Sequence, residues 1–163
     1  LAEKGGIEIK YTDKHRLYRA IELMTAGDYK SLIKQTKEGL SYKGPVIGLQ
    51  RERSDLYNRI NQRVEIMFEK GLVDEVKQLL KNGVNPNCQA FKGIGYKEVV
   101  QYLEGLISYD ACVDLIQKHT RHFAKRQITW YKRMPYIEWI TIDSQTTEAE
   151  IYGMACNIID SSF

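Results

Sequence analysis

Apolar residues recur every three or four positions through most of the chain, the period of helices that bury one face. Leu17, Ile21 and Met24 carry that period in a segment that Thr12 or Asp13 caps, that runs to about Thr25 and that Gly27 ends. Leu56, Ile60, Val64 and Met67 carry it through SDLYNRINQRVEIMFEK, which predicts a helix starting at Ser54 or Asp55 and broken at Gly71. LVDEVKQLLKNG predicts a further helix ending at Gly83. After the loop NPNCQ, FKGIGYKEVVQYLEG reads as a glycine turn entering a helix near Tyr96. A long helix follows from Ser108 to about Lys132, stopped by Pro135, and a last one from Thr147 to Ile159.

Two short runs break the helical period. Pro45-Val-Ile-Gly-Leu49 and IEWITID read as buried strands of the kind found in parallel sheets. Two strands do not make a stable sheet alone. They are expected to be edge members of a sheet whose other strands lie outside this chain. The polar stretch up to Gly44 is the linker candidate.

Charge alters this picture more than composition does. The chain has 163 residues and a net charge of only +3, with 43% hydrophobic residues. That suits an ordinary globular domain. The basic residues are not spread evenly. From Leu115 to Pro135 there is no Asp or Glu, and after Arg133 there is no Lys or Arg, while Asp143, Glu148, Glu150 and Asp160 follow. Localised cationic charge is the footprint of an anionic partner. Three widely spaced cysteines, Cys88, Cys112 and Cys156, fit reduced thiols in a cytoplasm better than disulfides or zinc. No run approaches the ~20 apolar residues of a bilayer span, so no membrane is expected. The opening LAEKGGIEIK is neither a signal nor a transit peptide and lacks an initiator Met, so part of a longer protein is expected.

Four segments carry candidate chemistry. On the helix that carries TRHFAKRQITWYKR, Lys118, Arg121, Lys125 and Lys132 fall on one side, suited to a phosphate backbone. Ile116, Phe123 and Trp130 fall on another, an apolar stripe expected to face the core. Gln127 and Thr129 add neutral hydrogen bonders. In FKGIGYKE, Gly93 and Gly95 allow close backbone approach, Lys92 and Lys97 flank the turn, and Tyr96 can stack on an unpaired base. Arg51, Arg53, Arg59 and Arg63 follow the first strand, where α/β folds bind ligands; they suit either a diphosphate clamp or salt bridges to Glu52, Asp55 and Glu65. TDKHRLYRAIE offers a cap and a phosphate contact from Thr12, Asp13 and Arg16, with His15 a surface residue. Neither GxxxxGK[ST] nor HExxH occurs.

In the same order, TDKHRLYRAIE, IGLQRERSDLYNRINQRVEIMFEKGLVDEV, KGIGYKEVVQYLEG and TRHFAKRQITWYKR resemble the C-terminal half of bacterial tRNA dimethylallyltransferases, or tRNA isopentenyltransferases, from about Ile9 to Asp143. The resemblance implies a P-loop NTPase-like α/β parent fold with a helical tRNA-binding insertion. In it, residues 1–44 end the helical region, residues 45–163 form the C-terminal part of the core, and the strands at about 45–49 and 137–142 belong to the parent sheet. It implies transfer of a dimethylallyl group from dimethylallyl diphosphate to N6 of the adenosine 3′ to the anticodon, position 37, of tRNA. By resemblance Arg63 holds the diphosphate. The tRNA contacts are Thr12, Asp13, Lys14, His15 and Arg16; Lys92, Gly93, Ile94, Gly95, Tyr96 and Lys97; and Lys125, Arg126, Gln127, Ile128, Thr129, Trp130, Tyr131 and Lys132. Arg53, Arg59 and Arg121 are further diphosphate or tRNA contacts.

The family's N-terminal half carries the phosphate-cradling loop, the Mg²⁺-binding hydroxyl and the aspartate base, and this chain has none of them. IEIKY also replaces an Ile-His-Pro pattern. The chain alone is therefore expected to be inactive, monomeric and without a metal ligand of its own. Two other readings fit the residues: a non-catalytic RNA-binding module, and a prenyltransferase acting on free adenine nucleotides. The module requires both strands to be covered within this chain.

Overall fold

A computed structural model describes residues 14–27 and 44–163, with Arg16 described by its backbone alone. The chain divides into two compact units, 1–39 and 40–163. The first contains α1 (Lys14–Thr25). Met24 and Ala20 are buried in it, Leu17 and Ile21 half-buried, and Gly27 follows with a φ of 75°. Thr12 and Asp13, the expected caps, lie outside the described residues.

In the second unit β1 (Val46–Arg51) leads into α2 (Arg53–Glu69), α3 (Leu72–Lys81), a 3₁₀ turn (Ala90–Lys92), α4 (Tyr96–Leu103), α5 (Tyr109–Tyr131), β2 (Ile137–Ile142) and α6 (Glu148–Ser161). The two strands pair with each other in parallel, from Val46 opposite Ile137 to Arg51 opposite Ile142. Parallel neighbours need a crossover, and α2 to α5 supply it. Gly48 stands opposite Trp139; a Cβ there would come within 2.7 Å of the indole and of Ile137 Cγ2. Only glycine lets that ring lie across β1.

β1 is less enclosed than its apolar sequence predicts. None of its residues is fully buried, and Leu49 is 53% exposed. Leu49 opens into a cleft of about 340 Å³ bounded by Trp139, Ile142 and, from α5, Ile128 and Tyr131. β2 is better covered, with Ile140 and Ile142 buried and α6 packed along it.

Helix boundaries follow local chemistry. α2 starts at Arg53, just ahead of the expected Ser54 or Asp55, and Glu52 caps it: its carboxylate accepts the Ser54 and Asp55 amides at 2.6 and 3.3 Å. The Ser54 hydroxyl, donating to the same carboxylate, and then these amides hold the Glu52 pKa below the usual carboxylate range. Ser108 caps α5 through the Ala111 amide at 3.2 Å, and Thr147 with Glu150 makes a capping box on α6. The core lies between α2, α3, α4 and α5, where Val64, Leu72, Val76, Phe91, Val99, Cys112 and Ile116 meet.

Candidate nucleic-acid interface

α5 outruns the core that supports it. Its 23 residues span about 34 Å, whereas the eight of α4 reach only about 12 Å. The first turns are buried through Cys112 and Ile116. The last turns are not: Phe123 is 46% and Trp130 51% exposed. The expected inward aromatic stripe therefore holds at Ile116 and fails at Phe123 and Trp130, since the short α4 does not flank α5 that far along and α2 covers a different side. The half-buried positions become Arg121, Ala124 and Ile128, which face α2 and the sheet. Phe123 carries the Arg126 guanidinium over its ring at 5.7 Å, and Trp130 meets Tyr131 edge-on at 4.9 Å.

Lys118, Lys125, Arg126, Lys132 and Arg133 are exposed, and none makes an ion pair among the described residues. Gln127, Thr129 and Tyr131 are exposed beside them. Arg121 is half-buried and donates to Asn61 Oδ1 of α2 at 2.6 Å, with no acid paired to it among the described residues.

A cleft of about 330 Å³ lies between this helix and the C-terminal end of β1. Gln50, Arg51 and Arg53 line one wall and Lys125, Thr129 and Lys132 the other, with Glu52 as the one acid. Arg51 is held by Asp55 at 2.7 Å, and Arg53 donates to the Tyr57 hydroxyl at 3.0 Å with its charge over that ring.

Arg59 and Arg63 are exposed but do not join this cleft. On α2, Asn61 bonds Arg121 and Glu65 accepts from Gln117 at 3.5 Å, which fixes the side of α2 that meets α5. Arg59 and Arg63 each sit two residues from Asn61, about 200° round the helix, and so lie on the opposite side. Neither forms a salt bridge among the described residues; Asp55 is taken by Arg51 instead.

The glycine turn at 92–97 is the second basic segment. Lys92, Gly93, Ile94 and Lys97 are exposed and Gly95 is buried, with a φ of 106°. Tyr96 is half-buried, its ring tilted on Phe91 at 5.4 Å and its hydroxyl donating to Glu75, a bond that raises the phenol pKa. Stacking on a base would have to share that ring with Phe91. Two residues absent from the sequence reading complete the turn. Glu98 is buried, with His119 Nδ1 at 2.7 Å and the Gly95 amide at 2.8 Å. The signal available in sequence was the glutamate three residues after Gly95, half of a capping box.

Lys14 and His15 are exposed on α1. No group of three His, Cys, Asp or Glu residues among those described is placed to hold a metal. No helix among them is long and apolar enough to cross a membrane. Cys88, Cys112 and Cys156 are unbridged.

A family model described as IPP transferase matches residues 5–134. The tRNA dimethylallyltransferase of Alkaliphilus metalliredigens is 40% identical over 148 residues, 88% of this chain and 46% of that protein. That of Thermotoga neapolitana is 46% identical over 141 residues, 85% of this chain and 46% of the relative. Among solved structures, the tRNA isopentenylpyrophosphate transferase of Bacillus halodurans superposes with a TM-score of 0.66 at 32% identity, covering 94% of this chain and 48% of that one. The Staphylococcus epidermidis enzyme gives 0.68 at 30% identity, covering 94% and 50%. The chain spans about half the length of the relatives it matches.

Proposed function

Because the chain belongs to the IPP transferase family, we propose that it is the tRNA-gripping portion of a tRNA dimethylallyltransferase. The reaction of this reading moves a dimethylallyl group from dimethylallyl diphosphate to N6 of adenosine 37. The observation that carries it is the exposed end of α5, whose cations have no acid partner among the described residues. A solvated helix normally mixes signs. An unmixed row is costly by self-repulsion unless a polyanion covers it.

On this reading the labour is divided. Lys125 and Lys132 take RNA phosphates, with Arg126, Gln127, Thr129, Trp130 and Tyr131 reaching the backbone or an unstacked base. Lys92 and Lys97 supply a second hold from the glycine turn, and Lys14, His15 and Arg16 a third. Arg63, on the far side of α2 from this row, takes the diphosphate of the donor. An allylic diphosphate departs readily once its charge is neutralised, a contribution of several kcal/mol for such a group. The nucleophile is a neutral exocyclic amine and needs a base to take its proton. The adenine must also leave its stack, at a cost of a few kcal/mol.

The base and the Mg²⁺ ligands are assigned to family segments outside this chain. The isolated chain then binds RNA without transferring the prenyl group, as a monomer in the cytoplasm. A free-standing RNA-binding module is less well supported, because it requires covered strands and Leu49 is 53% exposed.

The test is fluorescence anisotropy of a labelled anticodon stem-loop carrying adenosine 3′ to the anticodon, beside a guanosine variant. Binding that tightens steeply as salt falls supports the reading. Preference for adenosine would mean that this chain also reads the base. Absence of binding at low salt refutes it.

A further inference from the structure

Among the described residues Glu98 is the one charged side chain that is buried, at 3% exposure. Burying a carboxylate is expensive unless both oxygens are satisfied. Here they are, by two different elements. Oε2 accepts the amide of Gly95, whose φ of 106° is one that glycine adopts freely. Oε1 lies 2.7 Å from Nδ1 of His119, halfway along α5. The carboxylate thus joins the glycine turn to the helix that carries the exposed cations. His119 is also the last α5 residue on the α4 side before the helix leaves the core: Cys112 and Ile116 precede it on that side, and Phe123, the next position, is exposed.

We infer that Glu98, acting with His119, is a positioning residue for RNA recognition: it fixes the turn at 92–97 against α5 and so sets the distance between Lys92 and Lys97 and the cations at Lys118, Lys125 and Lys132. The inference rests on the RNA-binding reading for its consequence, but the latch itself does not. Two separate basic segments engage one rigid phosphate backbone well only if their spacing is fixed in advance, because ordering them on binding subtracts from affinity. Neither Glu98 nor His119 needs to touch RNA. A core packed with aliphatic residues at this junction would hold the helices together without holding the Gly95 amide in register. A buried hydrogen-bonded carboxylate does both.

The test uses the full 163-residue chain and three variants. Glu98→Ala removes both bonds. His119→Ala removes one from a side chain that is 42% exposed, and keeps the question open should the first variant fold poorly. Glu98→Gln is the conservative rescue, since its carbonyl can accept from Gly95 while its amide donates to neutral His119. Val64→Ala, a core lesion on α2, controls for lost stability alone.

Hydrogen exchange of the Gly95 amide and the Kd for the anticodon stem-loop are both measured. Glu98→Ala and His119→Ala are expected to speed Gly95 exchange and to raise Kd about tenfold, equivalent to about 1.4 kcal/mol. Glu98→Gln is expected to restore both, and Val64→Ala to lower the melting temperature without moving either. Gly95 exchange unchanged in both Glu98→Ala and His119→Ala overturns the latch whatever the RNA does. Faster exchange with unchanged Kd, in a chain that binds RNA, overturns the positioning role. A wild-type chain that does not bind the stem-loop refutes the RNA reading instead, and is distinguished by that.

Discussion

Replacing Lys125 and Lys132 together by glutamine isolates the phosphate contacts of α5. Both side chains are exposed and neither has an acid partner among the described residues, so their removal breaks no ion pair there. The helix is expected to keep its fold, since glutamine propagates helix nearly as well as lysine. The cationic side of α5 comprises Lys118, Arg121, Lys125 and Lys132. If each neutralises one phosphate, log Kd changes with log salt by about 0.9 per contact. Four contacts then cost roughly 150-fold in affinity between 50 and 200 mM salt, and two contacts roughly 12-fold. The double variant is therefore expected to bind the stem-loop with a salt slope smaller by about two, measured by anisotropy at four salt concentrations. A slope equal to that of the parent chain, even with weaker binding, would show that these lysines do not meet phosphates and would refute the reasoning.

Other outcomes follow from the packing. Gly48→Ala is expected to cost about 1–3 kcal/mol in urea unfolding, because its methyl would stand 2.7 Å from the Trp139 ring and Ile137. Thr147→Ala should cost about 1 kcal/mol by removing the cap on α6. Burial and then the Glu98 charge push the Cys112 thiol up to about 11, so it should resist alkylation at pH 8 while Cys88 and Cys156 react. The same shift makes stability fall as pH rises from the thiol's ordinary value near 9 to about 11, because the unfolded thiol loses its proton first. Cys112→Ala should flatten that part of a pH–stability curve. The 163-residue chain alone should show no prenyl transfer to tRNA, and a radiolabelled-donor assay that detected turnover would contradict the division of labour.

How much of this was legible in sequence depended on the range of the interactions involved. α5 could be bounded almost to the residue, because Ser108 and Pro135 mark it locally. The pairing of β1 with β2 could not be read, since parallel register is set by residues far apart in sequence. Glu52 was missed as a cap because glutamate is not among the favoured cap residues, although here its carboxylate reaches forward to the Ser54 and Asp55 amides. Phe123 and Trp130 were misassigned for a different reason. Helical spacing places them on the line of Ile116, but periodicity carries no information on how far the neighbouring helix extends. The basic segments were legible as composition. Their arrangement was not: Lys125 and Lys132 face Arg51 and Arg53 across one cleft, while Arg63 lies on the other side of α2.

The most direct test of the central claim is to map the RNA on the protein by amide chemical-shift perturbation, titrating the adenosine stem-loop into labelled chain. The account predicts that shifts concentrate at residues 92–97 and 125–132, with α6 and the loop between β2 and α6 silent. Shifts confined to α6 or β2, or none at saturating RNA, would contradict it.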